Sequence, residues 1–304
     1  MTTKTSSPKG NLMIIVATLI WGSGYIAQSS GMYHVAPLTF NAVRFAIGGT
    51  IALGPALFFV MRQRVTPPEE HKPAPISKST AVAGAICGIV LCLAINLQQF
   101  GLLYTSVANA SFITSLYVIM VPIASMIVFR KKPPVFVWIS VVIAMVGIYF
   151  LSLSDGFYVN LGDILVLLCA ITFTAQILLI SHFSPKHNVI VMACVQFYVV
   201  SAISLSLAFI FETPSMVAIF AAAPYVLYTG VLSSGVAYIL QMKAQKTTDA
   251  TVAAVLFSFE GVVAAIVGWL VINQVLTSRE LLGCGLIFIG ILVAQMKQKK
   301  AATA

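Results

Sequence analysis

Apolar runs of about 20 residues alternate with short polar breaks along the whole chain. Ten can be counted, at about 11–30, 38–61, 80–103, 107–129, 135–153, 161–182, 188–211, 222–243, 250–272 and 280–297. Each is bounded by charge, Pro or Gly. Each suits one helical crossing of a bilayer, since ~20 residues at ~1.5 Å rise cover the hydrocarbon core. The expected fold is all-α and integral to the membrane, with ten transmembrane helices. Gly54-Pro55 predicts a kink in the second run. The longest linker, from Arg62 to Lys78, is rich in Pro and charge. Arg130-Lys131-Lys132-Pro133-Pro134 stops the fourth run, and a short loop with Asp155 and Gly156 separates two halves.

The halves resemble each other. Ser106 to Pro133 and Thr247 to Thr277 both pair a small-residue start with a long apolar span and a polar exit. A shift of 142 positions lays Gln99, Thr105, Ala108 and Val121 on Gln241, Thr247, Ala250 and Val263. The chain therefore reads as two five-helix repeats, 11–153 and 161–297. A unit with an odd number of crossings inserts its second copy upside down. The two copies are then related by a pseudo-two-fold axis in the membrane plane, and a substrate site is expected near the midplane between them.

Composition agrees with a polytopic membrane protein. The chain is 60% hydrophobic and 8% charged, with a mean hydropathy of +1.01, against about 25% charged residues in soluble domains. The net charge of +9 does not mark a nucleic-acid binder, because the basic residues sit at the ends of apolar runs. With ten spans and a cytoplasmic N-terminus, 15 of the 17 Lys and Arg fall on the cytoplasmic side. Arg279 falls outside and Arg44 within a span. This asymmetry predicts a multi-pass protein of the cell (inner) membrane with both termini cytoplasmic. Lys4 and Lys9 precede an apolar run that continues to Gln28 without a good cleavage site, so it reads as a retained first span. Cys87, Cys92, Cys169, Cys194 and Cys284 lie inside apolar runs without metal-ligand spacing and read as small buried hydrophobes.

Candidate chemistry is sparse. Glu260 stands near the middle of the ninth span. A carboxylate there costs on the order of 2.5–3.5 kcal/mol and needs a partner, a proton or a water-filled cavity. Two readings stand: proton coupling or counter-charge to a substrate, and a structural acid. Arg44, about 9 Å below the outer surface at ~1.5 Å per residue, can snorkel to headgroups, pair with Glu260 or clamp a carboxylate. The uncharged candidates for substrate binding are Trp21, Tyr25 and Gln28 in span one, Asn41 in span two, and Asn96 and Gln99 in span three. Ser111 and Ser115 in span four, Gln176 in span six, Gln196 in span seven, and Tyr238 and Gln241 in span eight complete them. Interhelical hydrogen bonding is the competing role for each. Gly283 and Gly290, like Ser140 and Gly147, are seven apart and predict narrow packing seams, which a dimer contact could also use. No metal or other cofactor is expected, and there is no P-loop.

Several motifs resemble the drug/metabolite transporter superfamily in its EamA-type, ten-helix branch. They are Trp21-Gly22, Asn41-x-x-Arg44-Phe45, Ala108-Asn109-Ala110-Ser111-Phe112, Val121-Pro122 with its basic exit, Gly162-Asp163, Ser258-Phe259-Glu260, and Gly283 with Gly290. Two positions depart from that pattern. Gly261 stands where members often have Pro, which predicts a softer kink in span nine, and Gln274 stands where many have Glu. The resemblance implies a carrier of small metabolites or drugs, most often an exporter. The partners expected are a small-molecule substrate and the lipid bilayer, with no nucleic acid, in a monomer or homodimer. A lipid-modifying membrane enzyme and an uncoupled facilitator or channel are the alternatives. No paired intramembrane acids, His cluster or Asp-rich motif favours the enzyme, and no ring of charge favours the channel.

Overall fold

A computed structural model describes residues 7–65, 77–130, 133–152, 160–272 and 277–296. Most of the Arg62–Lys78 linker, Lys131, Lys132, Asp155, Gln274 and the terminal lysines Lys4, Lys297, Lys299 and Lys300 lie outside the described residues. Those described are helical, with no strand. The helices are α1 (Pro8–Gly31), α2 (Pro37–Val65), α3 (Lys78–Gly101), α4 (Val107–Thr114), α5 (Tyr117–Phe129), α6 (Val135–Ser152), α7 (Leu161–Phe183) and α8 (Val189–Phe211). There follow α9 (Met216–Ala221), α10 (Ala223–Tyr228), α11 (Tyr238–Ala244), α12 (Ala250–Phe257), α13 (Phe259–Ile272) and α14 (Ser278–Met296). A π-helical segment, Thr229–Ala237, joins α10 to α11.

These elements make the ten expected crossings. Among the described residues, eight helical spans are long and apolar enough to cross a membrane, and α6 is a shorter apolar helix. The fourth crossing is α4 plus α5, the eighth is α10 through α11, and the ninth is α12 plus α13. Pro55 lies inside α2 and Pro122 inside α5 without ending either helix. The break in the ninth crossing falls at Ser258, and α13 runs straight through Gly261. The feature expected at Gly261 is therefore displaced by one turn. Large apolar side chains on the outer faces, among them Phe58, Ile127, Phe209 and Leu270, are exposed and form the lipid-facing belt.

Turn geometry sets the repeat register. Gly101 ends α3 and Val107 opens α4; Ala244 ends α11 and Ala250 opens α12. Both pairs of positions are 143 apart, so the shift of 142 read from identities is one residue short. In the first two crossings Gly31 and Pro37 correspond to Phe183 and Val189, 152 apart. The breaks obey the same rule, since Ser115 between α4 and α5 corresponds to Ser258 between α12 and α13.

Packing follows an exchange of halves. Helix α2 packs on its counterpart α8, and α6 on its counterpart α14. The contact of α3 with α7 is matched by that of α11 with α1, and α3 on α8 by the π segment on α2. Likewise α1 meets α13 where α7 meets α5. This is the pattern of two inverted five-helix repeats. The α6–α14 contact takes up the small-residue seam within one chain. A Cβ on Gly147 would lie 2.8 Å from Gly283 O and 2.8 Å from Ile287 N, and one on Gly290 would lie 3.1 Å from Ser140 O. Only small residues permit backbones this close.

Capping side chains fix where the crossings begin. Ser106 Oγ accepts from Asn109 N, Asp249 Oδ1 from Thr251 N, and Asn160 and Asp163 form a reciprocal box at the start of α7. Asp163 also accepts a 2.6 Å bond from Thr105 Oγ1, tying α7 to the turn after α3. Glu212, past the end of α8, accepts from Leu38 N and Thr39 N, both at 2.8 Å, and so closes the N-terminus of α2.

Candidate functional site

Between the repeats lies a cavity with about 490 Å³ of empty space, its open mouth included. Trp21 and Gln28 reach it from α1, Arg44 from α2 and Gln98 from α3; Thr114 and Tyr117 flank the break between α4 and α5. From the second half come Phe173, Gln176 and Ile177 of α7, Ser233 of the π segment, Tyr238 and Gln241 of α11, and Phe257 and Glu260 around the break in the ninth crossing. Among the described residues, those of α6, α8 and α14 contribute none to the lining. That α8 is absent differs from the expectation that Gln196 of span seven binds substrate. Its inner face is spent on α2 and α3.

The lining is organised by the repeat. Trp21 corresponds to Phe173, Gln98 to Gln241, Thr114 to Phe257 and Tyr117 to Glu260 under the offsets of 152 and 143. Aromatic rings close one wall: Trp21 lies with its centroid 4.9 Å from Tyr238 and 5.6 Å from Phe257, and Tyr117 stands edge-on to Phe257 at 6.4 Å. The Trp21 indole Nε1 donates to the carbonyl of Ser233 at 3.2 Å. A π turn shifts carbonyls away from the α-helical pattern, and such turns recur at functional sites.

Two charged groups face this space. Arg44 is only 2% exposed, so it does not snorkel. Its Nη1 donates to Gln28 Oε1 at 2.6 Å, its Nε to Ser234 Oγ at 3.3 Å, and the guanidinium lies 4.9 Å from the Phe45 ring centre. Gln28 is oriented for this by its own Nε2, which donates to Gly24 O. Among the described residues no ion pair joins Arg44 to Glu260. Glu260 stands in the first turn of α13, beside the break, where helix N–H groups favour negative charge.

The structure gathers seven of the expected site residues around the cavity: Trp21, Gln28, Arg44, Gln176, Tyr238, Gln241 and Glu260. Tyr25 stands behind it, its hydroxyl accepting from Gln98 Nε2 at 2.9 Å. Asn41, Asn96, Gln99, Ser111, Ser115 and Gln196 are not in its wall. Asn41 donates to Asn96 Oδ1 at 2.9 Å, and Asn96 donates to Ser204 Oγ at 3.0 Å, a hydrogen-bonded junction of α2, α3 and α8. Ser115 Oγ is spent on Ser111 O. Gln99 and Gln196 are fully buried away from the wall. Gln98, Tyr117, Phe173 and Ser233 line the cavity without being among the expected site residues, as do Thr114, Ile177 and Phe257. The correct repeat register would have found the first three, as the counterparts of Gln241, Glu260 and Trp21. Ser233 carries no sequence signal, because nothing in it announces a π turn. Among the described residues, no three His, Cys, Asp or Glu converge as a metal site.

Comparison with known proteins accords with this architecture. Residues 8–153 and 160–296 each match the EamA-like transporter family. An uncharacterized transporter of Archaeoglobus fulgidus is 32% identical over 288 residues, covering 94% of this chain and 86% of that protein. The uncharacterized transporter YoaV of Bacillus subtilis is 25% identical over 286 residues, covering 92% and 94%. A solved crystal structure shares the fold, with a TM-score of 0.78 at 18% identity over 97% of this chain and 99% of its own. Two family matches that together span nearly the whole chain, on a fold of two inverted five-helix repeats around one cavity, lead to one conclusion: the chain belongs to the EamA-like transporter family and is a membrane transporter.

Proposed function

We propose that the protein is a secondary active transporter of the cell membrane. It exports small organic metabolites, amino acids or similar, or drugs by alternating access, exchanging them for protons at Glu260, and it catalyses no covalent chemistry. Both termini are cytoplasmic. The observation that carries this reading is the position of Glu260, a carboxylate in the wall of the inter-repeat cavity and beside the break of the ninth crossing. The matching break at Ser115 gives the first repeat an equivalent flexing point. Rocking one repeat against the other about these breaks opens the same cavity to either side.

A carboxylate there binds a proton or a cationic group of the solute, one at a time, and mutual exclusion yields antiport. Arg44 supplies the complementary cation for anionic groups of the solute. The rings of Trp21, Tyr117, Tyr238 and Phe257 accept its apolar part. The test is flux into proteoliposomes with and without a pH gradient, over a panel of amino acids, nucleosides, vitamins and drugs. Glu260→Gln should abolish accumulation driven by the gradient and leave exchange between equal pools. Wild-type accumulation by Glu260→Gln would make the residue structural and the protein a facilitator.

A further inference from the structure

The two repeats treat one equivalent glutamine in opposite ways. In the first, Gln98 is anchored: its Nε2 donates to Tyr25 OH at 2.9 Å and lies 3.4 Å from Thr114 Oγ1. The positions equivalent to Tyr25 and Thr114 are Ile177 and Phe257, whose side chains have no polar atom to offer. Gln241 turns instead to Gln176, its Nε2 3.4 Å from Gln176 Oε1. Gln176 itself stands where the first repeat has Gly24, so this partner has no counterpart there.

That arrangement leaves an unpaired edge. Gln176 Nε2 and Gln241 Oε1 are buried in the cavity wall, and neither has a protein partner. The side chains are 0% and 2% exposed. A flip of both amides exchanges the roles without changing the outcome. One nitrogen and one oxygen are consumed between the two glutamines, so one donor and one acceptor always remain. Ser233 Oγ, in the same wall, is also unpartnered. Thr174 and Ser258, by contrast, bond back to a carbonyl four and three residues earlier. Buried polar atoms left without partners cost about 1–3 kcal/mol each, which a bound group of matching pattern recovers.

We propose that Gln176, Gln241 and Ser233 form a subsite for a neutral group that presents a hydrogen-bond donor beside an acceptor, a carboxamide being the simplest case. The solute's carbonyl accepts from one glutamine, its N–H donates to the other, and Ser233 takes a remaining donor or acceptor. This rests on the cavity being the transport site. It adds a requirement that neither Glu260 nor Arg44 imposes, because both address charge.

The test uses the full chain in lipid nanodiscs, with thermal stabilisation read against concentration for matched probes. Glutamine is compared with glutamate and methionine, and nicotinamide with nicotinate and 3-acetylpyridine. Each carboxamide should bind at least about tenfold more tightly than its isosteres. Gln241→Met and Gln176→Met should each erase that ratio, with monodisperse gel filtration showing that the variants fold. Should both misfold, the wild-type probe ratios still decide. Equal binding of carboxamides and isosteres by the wild-type protein, or an unchanged ratio in folded variants, overturns the subsite. Gradient-driven flux of any panel solute would persist in that case, so failure here is distinguishable from failure of the transport reading.

Discussion

Arg44 and Gln28 should be energetically coupled, and the size of the coupling follows from their geometry. Consider Gln28→Met, Arg44→Met and the double variant; Met matches the length of Gln and keeps the stem of Arg without its guanidinium. The 2.6 Å bond between Arg44 Nη1 and Gln28 Oε1 is buried and charge-assisted, and such bonds contribute about 1.5–3 kcal/mol. The second bond, to Ser234 at 3.3 Å, is long. The ring of Phe45 adds about 0.5–2 kcal/mol and is untouched by Gln28→Met. Gln28→Met therefore leaves a buried cation short of its best partner, and Arg44→Met leaves Gln28 Oε1 without one. The double variant removes both groups and orphans neither. The two single losses should exceed the double loss by about 1.5–3 kcal/mol. Reversible unfolding in mixed micelles against detergent mole fraction measures all three. Single losses that sum to the double within about 0.5 kcal/mol would refute the reasoning and return Arg44 to the headgroup region.

Gly147→Leu should prevent correct packing of α6 on α14, because its Cβ already forces backbone atoms of Gly283 and Ile287 to shift and three further carbons must enter the same seam. Expression and monodispersity should fall sharply. The milder Gly147→Ala should lower stability by about 1–3 kcal/mol while leaving flux per folded molecule near wild type. Topology is tested by reporter fusions at positions 68, 156 and 300, which should report cytoplasm, exterior and cytoplasm; an externally active fusion at 300 would sink the orientation.

The run lengths determined ten crossings, because a bilayer of fixed thickness demands ~20 apolar residues of each helix. An odd number of crossings per copy determined the inversion, and with it the place of the cavity. Glu260 and Arg44 were legible too, since charge within an apolar run has few places to go. The exact faces were not. One residue of error in repeat register turns a helix face by about 100°, and this is the difference between Gln99, which is packed away, and Gln98, which faces the cavity. Nor does hydropathy separate cavity from packing between membrane helices, where every neighbour is apolar. Asn41 and Asn96 look like site residues until α8 brings Ser204 to them. Tertiary contact alone decided that Arg44 turns to Gln28, that a π turn aims Ser233 inward, and that Ile177 and Phe257 leave Gln241 to seek Gln176. Each depends on which side chain a neighbouring helix presents at that depth, and no run of residues along a single helix encodes it.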